Sequence, residues 1–188
     1  MFRTRSLERA ARDCALIVLA AACSSITPAR AAGHAHVHGI ARLDVAVEPT
    51  RIVLQLSSPL DNLLGFERAP RTDDERKQAA ALVDRLRKPD LFQADPAGGC
   101  TLKSASLSSA ALKLGNPDPA EVEAGHADID GTFELACRDA TAAKFIDVGL
   151  FQFARVQRVE VQVVTPHAQF KRDLQRPAGR IDLQAKAS

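Results

Sequence analysis

The segment ARLDVAVEPTRIVLQLSS, residues 41–58, predicts a pair of strands joined by a short turn. In both halves the apolar residues occupy alternate positions: Leu43, Val45 and Val47, then Ile52, Leu54 and Leu56. Because successive side chains of a strand point to opposite faces, this alternation gives each strand one apolar face. Pro49 and Thr50 interrupt it, as is typical of a turn. We therefore predict a β-hairpin with one buried face.

The residues after the hairpin predict a packed loop and one main helix. The loop, SPLDNLLGFERAP (58–70), is broken by prolines and a glycine but rich in leucine, so we expect it to pack onto the sheet. The helix lies in TDDERKQAAALVDRLRKP (72–89). Thr72 and Glu75 form a capping box at its start, and Pro89 ends it.

The second half of the chain predicts further strands. Apolar alternation favours strands within residues 100–109, 126–138, 155–166 and 180–184. Residues 140–154 are ambiguous and fit a helical turn leading into a strand. We expect an α+β domain, an antiparallel sheet of about five to seven strands with one main helix packed on it.

The N-terminal residues predict export from the cytoplasm. Four arginines precede an apolar run at 14–23, and Ala29 and Ala31 stand at positions −3 and −1 of an A-x-A cleavage site. These features are typical of a secretory signal peptide over residues 1–31, followed by an arm at 32–39, a single domain at 40–188 and a periplasmic location. Two alternatives are open, an uncleaved anchor and lipidation of Cys23, and only these would attach the chain to a membrane.

Charge and motifs exclude several classes of function. The formal net charge is +2, and the expected cleavage leaves the remainder close to neutral, which argues against a nucleic-acid partner. The chain has neither tryptophan nor tyrosine. It also lacks the H-E-x-x-H, G-x-S-x-G and P-loop motifs, so we name no catalytic residue and do not expect an enzyme.

Cleavage after Ala31 would leave two cysteines, Cys100 and Cys137. An even pair in an exported chain predicts one disulfide. The alternative is a pair of thiolate zinc ligands, which an oxidising compartment disfavours.

The segment GHAHVHG (33–39) holds three of the five histidines, His34, His36 and His38. In an extended chain, residues i and i+2 point the same way, so neighbouring imidazoles can converge on one zinc, copper or nickel ion. The alternative is a solvated leader without a ligand. If the mature chain starts at Ala32, its amine, two amides and His34 would also form a square-planar site for Cu(II) or Ni(II).

Two further histidines lie in the second half of the chain. His126 begins HADID and is a candidate fourth ligand, although a hydrogen-bonded histidine at a strand start fits equally well. His167, in TPHAQF, is expected in a turn.

Four segments carry a resemblance to a known family: HVHGIARLDVAVE, SPLDNLLGFERAP, HADIDGTFELAC and DVGLFQFARVQRVEVQVVTP. In this order they resemble the periplasmic family catalogued as domain of unknown function 2796, which includes a zinc-regulated protein associated with a zinc ABC importer. The resemblance implies a role in zinc handling, with His36, His38 and His126 as matching positions. Zinc-linked members carry a histidine-rich insertion, but residues 107–125 contain no histidine here, which disfavours high-capacity buffering.

We therefore expect a periplasmic metal-binding protein, with zinc as the favoured ion and a zinc ABC importer or its periplasmic component as a candidate partner. The first alternative is a metal-free interaction module that docks through residues 58–70. A hydrolase is a weaker alternative.

Overall fold

The structure is a computed structural model that describes residues 37–117, 119 and 127–184. The expected signal peptide, the lipidation alternative at Cys23, and His34, His36 and His126 lie outside the described residues.

The described residues form two sheets and two α-helices. The helices are α1 (Leu60–Leu64) and α2 (Asp73–Leu86). The strands are β1 (Ile40–Glu48), β2 (Arg51–Pro59), β3 (Phe92–Ala94), β4 (Thr101–Ser108), β5 (Asp128–Ala136), β6 (Phe145–Val148), β7 (Arg158–Val164), β8 (Gln169–Gln175) and β9 (Arg180–Asp182). The larger sheet has the order β4-β5-β2-β1-β7-β8, and the smaller has the order β3-β6-β9.

The predicted hairpin is the centre of the larger sheet. β1 and β2 pair antiparallel, with Val45 opposite Leu54 and Glu48 opposite Arg51. The alternating apolar residues of both strands are buried, while Asp44 and Gln55 on the opposite face are exposed. The period of two therefore gives the sheet one apolar and one polar face, as the sequence predicted.

The α+β class is confirmed, but the larger sheet is mixed rather than wholly antiparallel. β1 pairs in parallel with β7, from Ile40 opposite Arg158 to Ala46 opposite Val164. The physical reason is the path of the chain. After β5 it passes through β6 of the smaller sheet and returns to the end at which β1 begins, so β7 runs in the same direction as β1.

The predicted main helix is confirmed as α2, whereas α1 was not predicted, because residues 58–70 were expected to form a loop. The Thr72 hydroxyl accepts a hydrogen bond from the Glu75 amide at 3.1 Å, and the Glu75 carboxylate accepts one from the Thr72 amide at 3.3 Å. This capping box starts α2, which ends three residues before Pro89. In the part of the chain that is described, no helix is both long and apolar enough to cross a membrane.

The inner face of the larger sheet belongs to one core that includes residues of α2 and the smaller sheet. Phe92 of β3 meets Phe133 of β5 edge to face, with ring centroids 4.8 Å apart. Leu60 of α1 is fully buried, and Leu63 and Leu64 pack against the same core. The leucine-rich segment 58–70 therefore packs down onto the sheet, as predicted.

Cys100 and Cys137 form the predicted disulfide. They lie beside the Thr101–Ala136 pair of β4 and β5, at the end of the sheet where the β1–β2 turn lies. The thiolate-ligand alternative is wrong for this structure because a sulfur in a disulfide has no thiolate to offer a metal.

Candidate metal centre

His38 lies at the end of the larger sheet opposite the disulfide. It occupies a turn two residues before β1. At this same end β7 and β5 begin and β2 ends, with Ile40 opposite Arg158 and Pro59 opposite Asp128. Segments that are distant in the sequence therefore meet beside His38.

The backbone behind His38 is held in place by Asn62, a buried residue of α1. The Gly39 amide donates to Asn62 Oδ1 at 2.6 Å, and Asn62 Nδ2 donates to the Ile40 carbonyl at 2.8 Å. Gly39 has φ +82°, a left-handed conformation that glycine adopts without steric cost. The turn and its two hydrogen bonds therefore fix the point from which the His38 side chain projects.

The His38 ring contacts a carboxylate from the segment after α1. His38 Nε2 and Glu67 Oε1 are 2.9 Å apart, with 64% of the His38 side chain and 40% of the Glu67 side chain exposed. This exposure leaves the pair open to solvent and to ions.

The segment that carries Glu67 is anchored on both sides. Before it, Gly65 ends α1 with φ +84°, and its amide donates to the Asp61 carbonyl at 2.9 Å. After it, Arg68 donates two hydrogen bonds to Glu75, at 2.9 and 2.6 Å. These bonds, together with those from the Arg71 and Thr72 amides, lower the pKa of Glu75 to about 2.

A cleft of about 450 Å³ opens beside His38. Its lining residues come from the starts of β1 and β7 and the end of β8: His38, Gly39, Ile40, Gln157, Arg158, Gln175 and Arg176. Arg158 and Arg176 place two positive charges in this lining, so the cleft itself does not favour a cation.

Of the four predicted metal ligands, the structure describes only His38. Within residues 37–117, 119 and 127–184, no group of three or more histidine, cysteine, aspartate or glutamate side chains could hold a metal ion. His167 lies in the bend between β7 and β8, as predicted, and its amide donates to Thr165 Oγ1 at 3.3 Å. That bend is at the far end of β7 from His38, so His167 is separate from this centre.

Sequence reasoning missed Asn62 and Glu67. The two contacts with the His38 turn link residues 23 and 29 positions apart, and no local period predicts them. The available signal was the polar content of SPLDNLLGFERAP, in which Asn62 and Glu67 stand among leucines and a phenylalanine.

The chain matches the sequence model of a known protein family. The sequence model described as ZrgA family zinc uptake protein matches residues 35–183. The match includes His36, His38 and His126 but begins after His34, and it covers the residues of both sheets. No curated protein matches the chain.

Proposed function

We propose that this chain, which belongs to the ZrgA family of zinc uptake proteins, binds zinc at the end of the larger sheet where β1 begins. His34, His36 and His38 are the proposed ligands from the arm, and His126 is the proposed fourth. Zinc is the cargo of this site, which the protein holds for, or passes to, an uptake system.

The observation that carries this proposal is the topology. β1 and β5 both run antiparallel to β2, so both begin at the same end of the sheet. His38 precedes β1, and Ala127, the residue after His126, accepts a hydrogen bond from the Leu60 amide at 2.9 Å. Because β1 and β5 flank β2, their starts are two strand spacings apart, roughly 9.5 Å. The two histidine-bearing segments are therefore joined to the fold at neighbouring points.

The ligand chemistry supports zinc. Neutral imidazole binds Zn²⁺ at about 2.0–2.1 Å, and three or four ligands complete a tetrahedral site. The disulfide removes the two cysteines that persist after the expected cleavage from the set of donors. Nitrogen and oxygen donors are thus the ligands left to the mature chain, and these suit Zn²⁺ better than Cu(I), which prefers sulfur.

The surroundings proposed for this function are periplasmic. The expected signal peptide at 1–31 directs export, and a disulfide is stable in an oxidising compartment. The arm at 32–39 would precede a single domain at 40–188. We infer a binding role rather than catalysis, with a zinc ABC importer or its periplasmic component as the proposed partner.

The metal-free docking alternative has little apolar surface in segment 58–70 to support it. Leu60 is fully buried, and Leu63 and Leu64 pack against the core. Because Leu60 is buried and Leu63 and Leu64 are partly buried, these leucines favour a structural role for the segment over a docking role.

Titration calorimetry tests the proposal directly. Protein purified after expression of the full chain, without a tag, is titrated with Zn(II) and then with Cu(II), and mass spectrometry locates its N-terminus. We expect stoichiometric zinc binding that is lost in the variant carrying His34→Ala, His36→Ala and His38→Ala. His167→Ala is the matched control and should bind as the wild type does.

The other outcomes have defined meanings. Tight copper binding with weak zinc binding, in a chain that starts at Ala32, would move the assignment to the Ala32-Gly33-His34 site. Absence of binding for both ions would contradict the metal-binding function.

A further inference from the structure

We propose that Glu67 is a positioning residue of this metal site: its carboxylate holds Nε2 of His38 so that Nδ1 binds the ion. This inference rests on the zinc-binding function proposed above. It adds a carboxylate that supports one ligand, and it specifies which nitrogen of that ligand faces the metal.

The contact between the two side chains sets the tautomer. A carboxylate only accepts hydrogen bonds, and a neutral imidazole carries one N–H and one lone pair. In a neutral His38, the 2.9 Å contact between Nε2 and Glu67 Oε1 places the proton on Nε2 and the lone pair on Nδ1. Within the described part of the chain, Nδ1 has no hydrogen-bond partner, so its lone pair is available.

This arrangement has a known chemical use. Histidines that bind metals commonly donate their second ring N–H to a carboxylate, which fixes the orientation of the ring and makes the ligand more basic. Nδ1 is the ring nitrogen closer to the backbone of His38. An ion on Nδ1 therefore lies closer to the main chain of His38 than an ion on Nε2 would.

Direct binding of one zinc ion by both His38 Nε2 and Glu67 Oε1 fits the observed distance between these atoms less well. Two ligand atoms on one tetrahedral zinc, each about 2.05 Å from the metal, are about 3.3 Å apart. Nε2 and Oε1 are already 2.9 Å apart, so they would have to separate by about 0.4 Å to admit an ion between them. Binding through Nδ1 leaves the observed contact unchanged.

Both partners project from anchored backbone, which suits a positioning role. Asn62 holds Gly39 and Ile40, directly after His38. The paired side chains of Arg68 and Glu75 hold the chain directly after Glu67. The ring and the carboxylate are therefore carried by backbone segments that other residues hold in place.

The first test compares zinc affinities of the purified protein with Glu67→Ala and Glu67→Gln. We expect Glu67→Ala to weaken zinc binding about 10- to 100-fold, the usual effect of removing such a partner. Glu67→Gln keeps an oxygen that accepts the Nε2–H bond, so it should retain most of the affinity.

Glu48→Ala is the matched control for the first test. Glu48 is 46% exposed and pairs with Arg51 at the opposite end of the sheet. Its removal should leave the zinc affinity unchanged, and thermal unfolding of each variant checks that the fold is intact.

The second test uses ¹⁵N NMR of the histidine rings with and without Zn(II). We expect zinc to shift the Nδ1 resonance of His38, while Nε2 stays protonated in the wild type and in Glu67→Gln. If the contact between His38 and Glu67 had only a structural role, zinc would not be restricted to Nδ1 of His38.

Each contrary outcome identifies what fails. Zinc bound through Nε2, with Glu67→Gln as weak as Glu67→Ala, would make Glu67 a direct ligand and overturn this inference. Wild-type affinity in Glu67→Ala would overturn it too, and would leave the zinc-binding function intact if the triple histidine variant still loses zinc. A wild-type protein that binds no zinc would overturn both.

Discussion

Replacement of Asn62 by alanine tests the anchoring of the His38 turn. Asn62 is 1% exposed, accepts from the Gly39 amide at 2.6 Å and donates to the Ile40 carbonyl at 2.8 Å. A third bond joins its Nδ2 to Ser58 Oγ at 3.2 Å. Alanine removes all three hydrogen bonds and leaves two backbone groups without these partners.

The expected loss of stability follows from the two backbone groups that lose Asn62, the Gly39 amide and the Ile40 carbonyl. A buried polar group left without a partner costs about 1–3 kcal/mol. Gly39 and Ile40 are half-buried, and water will replace part of the lost bonding, so we take the lower half of that range for each. We therefore expect Asn62→Ala to lower the free energy of unfolding by about 2–4 kcal/mol.

Urea unfolding with the disulfide intact measures this loss. Asn116→Ala is the matched control, because Asn116 is exposed and its replacement should change stability by less than about 0.5 kcal/mol. Hydrogen exchange at the Gly39 amide should be faster in Asn62→Ala than in the wild type. A loss below about 0.5 kcal/mol with unchanged exchange at Gly39 would refute the anchoring argument.

Three further predictions concern the fold and the turn. Replacing Cys100 and Cys137 by alanine frees a loop with a sequence separation of 37 residues and should cost about 4 kcal/mol on the chain-entropy model, measured by urea unfolding. Gly39→Ala should cost about 1–2 kcal/mol, because φ is +82° while the added Cβ meets nothing closer than 3.5 Å; an unchanged melting temperature would contradict this. The pKa of Glu75 is about 2 in the folded protein against an ordinary value of 4.5, so its ionised form stabilises the fold above about pH 4.5, and this contribution is lost as the pH falls towards 2. Wild-type protein should therefore lose more stability than Glu75→Gln between pH 6 and pH 3 in urea unfolding, and equal losses would count against the Arg68–Glu75 contact.

The sequence predicted those elements whose signals are local. The period of two in residues 41–58 specifies the β1–β2 hairpin, and the Thr72–Glu75 capping box specifies the start of α2. The segment 140–154 forms a short helical turn at Ala140–Ala142 and then β6, as its ambiguous pattern suggested.

The missed elements have weak or non-local signals. β8 (Gln169–Gln175) is an edge strand in which only Leu174 is buried, so it lacks a run of alternating apolar residues. β3 has three residues, too few to show a period. The parallel pairing of β1 with β7 depends on the path of the chain between β5 and β7, which no local pattern records.

The candidate site was predictable in part for the same reason. The clustering of histidines near position 38 is visible in the sequence, and so is the glycine that follows them. The contact with Glu67 spans 29 residues and exists only because α1 folds back against the start of β1.

X-ray absorption at the zinc K-edge is the most direct test of a histidine-based zinc site. The protein is purified after expression of the full chain, loaded with one equivalent of Zn(II), and compared with the triple histidine variant. We predict a first shell of nitrogen and oxygen at about 2.0–2.1 Å with the multiple scattering of imidazole, and with no sulfur at about 2.3 Å. A sulfur shell, or a zinc spectrum unchanged by the loss of the three arm histidines, would contradict the account.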